Sequence, residues 1–178
     1  MRNLVTLCLM LGLILPQLSV ADVLSASREG FSLRVETLSQ ASPEVSYKAF
    51  TAIERWWDPA HSYGGVADML SLDVSPGGAF LEKLPDGGFV KHLEVVYAQP
   101  GKEIRLLGGL GPLQPMGLTG ALTVQFEAYG RGSKTIMLYN VSGFAATGLE
   151  NLAPIVDAVQ SAQMQRHATY ADILMAQP

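Results

Sequence analysis

Residues 53–65 read IERWWDPAHSYGG, and the rest of the chain is best understood from this stretch. It contains both tryptophans of the chain, Trp56 and Trp57, one of its three histidines, and a Pro/Gly ending that stops the preceding helix. Neighbouring side chains on a helix point about 100° apart, so the two rings are not expected to enter one core together. We expect one tryptophan in the core and the other at a cleft or under the loop.

A strand and a short helix lead into this stretch. Apolar and polar residues alternate over residues 31–38, which predicts a half-buried strand. Ser42-Pro43-Glu44 then supplies an N-cap, a proline at the first helical position and an acid in the first turn. The helix is expected to run to about Trp57 and to stop at Asp58-Pro59, with a break near Ala52-Ile53 left open.

Six strand-like runs and one long helix follow. The runs are separated by turns rich in proline and glycine, which is typical of an antiparallel meander. They cover residues 70–74, 79–84, 89–98, 103–107, 121–129 and 135–142. The last run, residues 151–174, has no internal glycine and predicts a helix of roughly 36 Å at 1.5 Å per residue.

This order of elements predicts the fold class. A sheet of seven antiparallel strands cannot bury its apolar face alone, and the long C-terminal helix is the obvious cover. We therefore expect a single α+β domain in which a seven-stranded curved antiparallel sheet wraps on the C-terminal helix, with short helices after the first strand. The sequence shows no internal repeat and no second domain.

The N-terminus has the pattern of a secretory signal peptide. A short basic start precedes an apolar run and then Ser19-Val20-Ala21, which predicts cleavage after Ala21. The apolar run is shorter than a membrane span of about 20 residues, and an uncleaved anchor is the alternative. The expected domains are therefore a signal peptide over residues 1–21 and one domain over residues 22–178. A periplasmic or secreted location follows, with no stable membrane anchor after cleavage.

Composition excludes several classes of partner. The chain has 12 basic and 16 acidic residues without any basic cluster, so no nucleic-acid binding is expected. Its one cysteine, Cys8, lies in the signal segment, so neither disulfides nor thiol chemistry are expected. His61, His92 and His167 are isolated, which argues against a metal site, and no cofactor motif is present.

The pattern resembles the START-like superfamily, also called SRPBCC or the birch-pollen-allergen helix-grip fold. The order matches over essentially the whole chain after the signal segment, and the detail resembles bacterial members of the polyketide-cyclase and chaperone-ATPase-activator branches. The segments that carry the resemblance are 54–59, 77–80, 92–96, 100–102 and 120–123. The resemblance implies a mostly apolar cavity between sheet and long helix, which members use to bind lipids, sterols or polyketides and in some cases for catalysis.

Candidate site residues follow from this expected cavity. The apolar candidates are Trp57, Phe80, Val96, Tyr139 and Phe144. Polar groups that would orient a ligand are His61, Tyr63, Glu82 and His92. The loop at residues 108–120 lacks the glycine patterns of a phosphate site and is expected to be a lid or strand connector at one end of the cavity.

Glu82 and His92 attract interest because they lie on neighbouring strands. A three-residue loop at positions 85–87 places Glu82 on one face with His92 and Glu94. A two- or four-residue loop changes the parity and places Glu82 beside Lys91, a surface pair worth about 0.2–1 kcal/mol. In the first register, a Glu–His pair that faces an apolar cavity could perform acid–base chemistry.

His167 lies in the final helix on a mixed stripe with Gln163 and Tyr170. These three side chains either face the cavity or sit on its rim, and the rim is favoured.

Three functions are consistent with these patterns. The leading hypothesis is a binding protein for a small hydrophobic or amphipathic molecule. The second is an enzyme of cyclase, dehydratase or hydrolase type that uses His92 and Glu82, with His61 or Tyr63 as a second acid. The third is a protein-interaction domain without a ligand. His92→Ala separates the first two, since it would abolish turnover but cost a binder only about 1 kcal/mol.

Overall fold

The computed structural model describes residues 20–177. Its helices are α1 (Pro43–Thr51) and α2 (Ala153–Met175). Its strands are β1 (Val20–Ala26), β2 (Gly30–Ser39), β3 (Leu70–Leu72), β4 (Ala79–Lys83), β5 (Phe89–Gln99), β6 (Glu103–Gly108), β7 (Thr119–Tyr129) and β8 (Gly132–Ser142). Residues 1–19 of the expected signal peptide lie outside the described residues, and Val20 and Ala21 begin β1.

The strands form one antiparallel sheet in the order β1-β2-β8-β7-β6-β5-β4-β3. The predicted α+β class and the long C-terminal helix are confirmed, but the described part of the sheet has eight strands instead of seven. The additional strand is β1, which pairs with β2 at the sheet edge. The side chains described in β1 are all exposed, so its sequence lacks the alternation by which a half-buried strand is identified.

The core lies between the inner face of the sheet and α2. In β2, Leu33 and Val35 are fully buried, while the intervening Arg34 is only partly covered on the opposite face. The α2 helix packs on β2 and against α1. Ala168 and Ala171 are buried on its inner side, and these small side chains let the helix lie close to its neighbours. No helix among residues 20–177 is long and apolar enough to cross a membrane.

The helix before the two tryptophans is broken at the position left open by the sequence. Ser42 caps α1 with its hydroxyl oxygen, as expected. The α-helix ends at Thr51, and Ala52 then adopts φ −88° and ψ 56° before a 3₁₀ turn at Ile53–Arg55. The helix therefore stops earlier than the expected end near Trp57.

This break changes the outcome for Trp56 and Trp57. Both rings are buried, at 3% and 7% exposed, because they are not neighbours on one continuous α-helix. The Trp56 indole N–H donates to the carbonyl of Phe50 at 3.3 Å, and that of Trp57 donates to the carbonyl of His61 at 3.0 Å. The expectation that the two rings do not enter one core together is wrong, since both belong to the same buried cluster. The position of Trp57 under the loop is as expected.

Candidate functional site

A cavity of about 390 Å³ lies between the sheet and the first turns of α2. Three segments form most of its wall, namely residues 57–63, residues 110–116 and residues 152–160. His92 of β5 and Tyr139 of β8 complete the wall from the sheet. The volume falls in the range of about 300–1,000 Å³ that is usual for small-molecule pockets.

The wall of this cavity is mostly apolar. Leucine, valine, isoleucine, methionine and aromatic side chains dominate it. Within residues 20–177, no Asp, Glu, Lys or Arg side chain lines the cavity. A smaller apolar space of about 20 Å³ adjoins it and shares Trp57, Leu110 and Gln160 with it.

A second hollow, of about 580 Å³, lies along β1, β2, β7 and β8. It is open to solvent, and the Ser32 hydroxyl in its wall already bonds to Asn140. Pockets that bind small molecules usually enclose most of the ligand surface. The inner cavity is therefore the candidate site.

Glu82 holds the loop at one side of the cavity mouth. Its carboxylate is fully buried and accepts the backbone N–H of Gly64 at 2.6 Å and that of Tyr63 at 3.1 Å. The His92 Nε2 lies 3.1 Å from the same carboxylate. Three donors on two oxygens suit an ionised carboxylate, which carries no proton of its own.

His92 holds the loop at the other side. Its Nδ1 accepts the backbone N–H of Gly111 at 3.3 Å, so the ring proton is assigned to Nε2, which donates to Glu82. The Tyr63 hydroxyl also donates to the Gly111 carbonyl at 3.1 Å, which joins the two loops directly. Glu82, His92 and these two loops therefore form one hydrogen-bonded unit at the mouth.

The electrostatics of His92 agree with this arrangement. Burial lowers the pKa of His92, while the hydrogen bond and the charge of Glu82 oppose that shift. The Phe80 ring lies 4.7 Å from the imidazole and the Tyr63 ring 5.9 Å, measured between ring centroids. A neutral imidazole enclosed by aromatic rings, with both nitrogens engaged, orders the loops.

The pairing of β4 with β5 contains a β-bulge at His92. The pairing of β4 with β5 jumps from Lys91 to Leu93, which leaves His92 as the extra residue. His92 and Leu93 therefore both face inward. Beyond the bulge the alternation is inverted, so Glu94 points outward to Lys91 at 2.7 Å and Val96 is 48% exposed.

The outcome for the two registers follows from these contacts. The three-residue loop is present, closed by a hydrogen bond from Leu84 N to Gly88 O at 2.8 Å. It places Glu82 with His92, and the alternative that paired Glu82 with Lys91 is wrong. The expectation that Glu94 shares their face is also wrong, because the bulge intervenes.

The structure places the sequence-derived site residues in three groups. Five of them line the 390 Å³ cavity, namely Trp57, His61, Tyr63, His92 and Tyr139. Phe80 borders the small adjoining space, and Glu82 lies behind His92. Val96 and Phe144 do not line the cavity: the bulge turns Val96 outward, and Phe144 lies beyond the end of β8 with 85% of its surface exposed.

Sequence reasoning missed most of the wall outside the sheet. The expected lid, residues 108–120, contributes Leu110, Leu113 and Met116 to the cavity. The start of α2 contributes Ile155 and Val156 among others. Both segments carry a signal, since the lid has apolar residues between its glycines and α2 has an apolar stripe in its first half.

His167 and Gln163 lie deeper than expected. Both are buried, and neither lines the cavity, so the interpretation of them as rim residues is wrong. The His167 Nε2 is 2.9 Å from the Ser46 carbonyl, and the Gln163 amide oxygen accepts the backbone N–H of Asp58 at 2.9 Å. Burial lowers the pKa of His167 to about 4. These groups tie α2 to α1 and to the loop after it.

A metal centre finds no support in this geometry. No three His, Cys, Asp or Glu side chains among residues 20–177 are grouped closely enough to hold an ion. His61 is exposed at the cavity mouth, while His92 and His167 are buried in different surroundings.

Comparisons with known proteins identify the fold. No family model matches the sequence, and no curated protein matches it at a significant level. An uncharacterised protein from Rhizobium leguminosarum shares 19% identity at a TM-score of 0.56, over 88% of this chain and 99% of that one.

Two further matches have more informative names. The di-domain ARO/CYC protein StfQ from the steffimycin biosynthetic pathway shares 13% identity at a TM-score of 0.56, over 83% of this chain and 51% of that one. Ara h 8.0201 shares 13% identity at a TM-score of 0.55, over 82% of this chain and 98% of that one. At such identities the likeness establishes the fold alone. The chain therefore has the helix-grip fold of the birch-pollen-allergen-like proteins.

Proposed function

We propose that this protein binds a small hydrophobic or amphipathic molecule in the cavity between its sheet and α2. The observation that carries the proposal is the 390 Å³ cavity itself, with its apolar wall and without a charged side chain from Asp, Glu, Lys or Arg among the described residues. Burying an apolar ligand there removes its surface from water, which contributes about 25 cal/mol per Å². The few polar groups of the wall would orient the ligand.

The network at the cavity mouth supports binding over catalysis. A general base needs a lone pair that can reach the substrate. The free lone pair of His92 is used on Gly111, and the Glu82 oxygens are used on two backbone N–H groups and on His92. In this arrangement neither group offers a free basic site, so we do not propose acid–base chemistry for the pair.

The proposal extends to family and location. We place the chain in the START-like superfamily, near the polyketide-cyclase and chaperone-ATPase-activator branches, on the strength of its fold and of the order of its motifs. We also propose that residues 1–21 are an export signal and that residues 22–178 act in the periplasm or outside the cell. The mass of the mature protein tests this: cleavage after Ala21 leaves Asp22 as the first residue, and an intact N-terminus would contradict export with cleavage.

A cavity-filling variant tests the binding function. Val156→Phe adds a ring to the cavity wall, whereas Val96→Phe adds the same ring to the exposed outer side of β5. The neutral dye Nile red, titrated by fluorescence, should bind the wild type and the Val96→Phe variant alike. For Val156→Phe, the Kd should rise about tenfold or more because the volume is occupied.

Two results would contradict the binding function. One is the absence of any saturable binding to the wild type. The other is an equal Kd for both variants, which would place the dye elsewhere on the surface. Near-ultraviolet circular dichroism of both variants verifies that each keeps the native packing.

A further inference from the structure

Several polar side chains of the cavity wall have already used their donor hydrogen on the protein. The Trp57 indole N–H bonds to the His61 carbonyl, and the Ser62 hydroxyl bonds to the Pro59 carbonyl. The Tyr63 hydroxyl bonds to Gly111, as described above. These three groups are therefore committed to holding the loops. His61 and Gln160 also line the wall: His61 is exposed at the mouth, and Gln160 is buried where the cavity meets the smaller space.

Tyr139 is different. Its side chain lies in the cavity wall and is fully buried, and its hydroxyl makes no hydrogen bond of normal length and angle to any described residue. The backbone of Leu110 lies beside it without closing such a bond. A buried hydroxyl normally has a partner, because it has given up its bonds to water. A vacant donor in the wall of a mostly apolar cavity indicates a contact that a bound molecule would complete.

The ring that carries this hydroxyl is firmly positioned. It packs edge-on against Phe31, with 6.5 Å between ring centroids. The Cε2 atom of Tyr139 lies close to Gly120 of β7. If residue 120 carried a Cβ atom, that atom would lie only 2.7 Å from the Cε2. Glycine at this position therefore makes room for the ring, and the hydroxyl is held at a fixed point of the wall. Burial raises the pKa of Tyr139, so the phenol stays protonated and remains a donor.

The cavity also selects against charge. Its wall offers no cationic Lys or Arg to an anion among residues 20–177, and the buried Glu82 carboxylate lies directly behind His92. The two histidines of the wall are His92, whose ring is bonded at both nitrogens, and His61, which is exposed at the mouth. An ionised carboxylate deep in this cavity would lose its hydration without gaining a Lys or Arg counter-ion, which is strongly unfavourable.

Building on the proposed function, we infer that the ligand is an uncharged, mostly apolar molecule with one buried oxygen, of a carbonyl or hydroxyl group, that accepts a hydrogen bond from the Tyr139 hydroxyl. Tyr139 is then the residue that determines which polar group is accepted, while the apolar wall determines size and shape. Ionised fatty acids and similar anions are excluded.

Three compounds that share one ring system separate the contribution of the Tyr139 hydrogen bond from that of the apolar wall and from the effect of ligand charge. They are 2-acetylnaphthalene with a ketone, 2-ethylnaphthalene as its hydrocarbon analogue, and 2-naphthoate as an anion at pH 7.5. Equilibrium dialysis measures the Kd of each for the wild type, for Tyr139→Phe and for the control Tyr47→Phe, whose hydroxyl lies outside the cavity wall. Because Tyr139→Phe removes only an unpartnered hydroxyl, the variant is expected to unfold at the same temperature as the wild type or slightly above it.

The expected result is a selective loss. Tyr139→Phe should raise the Kd of 2-acetylnaphthalene about five- to tenfold, which corresponds to the loss of one neutral hydrogen bond. The Kd of 2-ethylnaphthalene should stay within about twofold of its wild-type value. Tyr47→Phe should change neither. For the wild type, 2-naphthoate should bind about 100-fold more weakly than the ketone.

Two outcomes would overturn the inference and leave the binding function intact. One is a Tyr139→Phe variant that weakens ketone and hydrocarbon equally or affects neither. The other is 2-naphthoate binding as tightly as the ketone. Failure of all three compounds to bind the wild type would instead contradict the proposed function, and the inference with it.

Discussion

His92 and His167 are both buried, and burial lowers the pKa of both, yet they do different things. His92 is bonded at both nitrogens, to Glu82 and to Gly111, and links two loops at the mouth of a cavity. His167 is bonded only through Nε2, to Ser46 O, and its Nδ1 has no partner among residues 20–177. Its ring lies among those of Phe50 and Trp56 in the core.

The difference teaches that a buried histidine with a shifted pKa does not by itself mark a functional site. What matters is what its partners hold in place. One partner of His92 is Gly111 in a cavity loop, and the other is Glu82 of β4, which itself binds the second loop at Tyr63 and Gly64. The partner of His167 belongs to the neighbouring helix. Three predictions test this contrast, beginning with the largest expected effect.

Replacing Glu82 should damage the cavity mouth most. In Glu82→Gln, an amide NH₂ must face the N–H of either Tyr63 or Gly64, and a donor is left unsatisfied in a buried place. Breaking a buried charged network typically costs about 3–5 kcal/mol, so we expect a loss of about 4 kcal/mol in unfolding free energy, measured by urea denaturation. The backbone amides of Tyr63 and Gly64 should exchange hydrogen faster.

Glu94→Gln is the matched control, because the same change is made on the exposed face of β5. It should leave stability and the two amides unchanged. If Glu82→Gln were as stable as this control, the proposed role of Glu82 at the mouth would be wrong.

The second prediction concerns the dependence of stability on pH. The pKa of His167 is about 4 in the folded protein against an ordinary value of 6.5, so the unfolded chain binds more protons between these values. Stability is therefore fully present above pH 6.5 and is lost as the pH falls toward 4. A shift of this size corresponds to about 3 kcal/mol. The Asp172 carboxylate nearby opposes the shift, and His92 contributes to the loss in the same direction.

His167→Phe isolates this contribution, since it keeps an aromatic ring in the core and removes the titrating group. Urea denaturation at several values between pH 4.5 and 7.5 should give a clearly flatter profile for the variant than for the wild type. Parallel profiles would show that His167 is not the group that makes the fold sensitive to acid.

The third and smallest effect concerns the link from His92 to the lid. His92→Phe removes the acceptor of the Gly111 N–H and the donor to Glu82, but it retains a ring between Phe80 and Tyr63. We expect a loss of about 2 kcal/mol in unfolding free energy for the two bonds together, and about fivefold faster hydrogen exchange at Gly111. The exposed His61→Phe serves as the control. If the Gly111 amide keeps its wild-type exchange rate in His92→Phe, the imidazole does not order the lid.

Much of the fold follows from local patterns. Alternation and Pro/Gly turns located seven strands, and the long glycine-free run located α2 to within two residues at its start. The edge strand β1 was not predicted, because its described side chains are exposed on both faces and its sequence therefore shows no alternation of apolar and polar residues. The break at Ala52 was only an open alternative, since no proline or glycine marks it.

The site was predictable to a lesser degree. Tyr139 was one of the apolar candidates, and its inward position agrees with the alternation of β8, in which Leu138 and Asn140 face the other way. Val96 was misplaced because two valines follow each other, so alternation cannot show that a bulge at His92 has inverted the register. That the Tyr139 hydroxyl has no hydrogen-bond partner could not be predicted from the sequence, because this depends on which backbone groups of residues 108–120 lie near the hydroxyl.

The measurement that tests the central claim most directly is native mass spectrometry of the protein purified under mild conditions from its own cells, beside the Val156→Phe variant. The account predicts about one equivalent of an uncharged small molecule on the wild type and less than about a tenth of that on the variant. Equal occupancy of both proteins, or a bare chain mass for the wild type, would contradict the claim that this cavity holds a ligand.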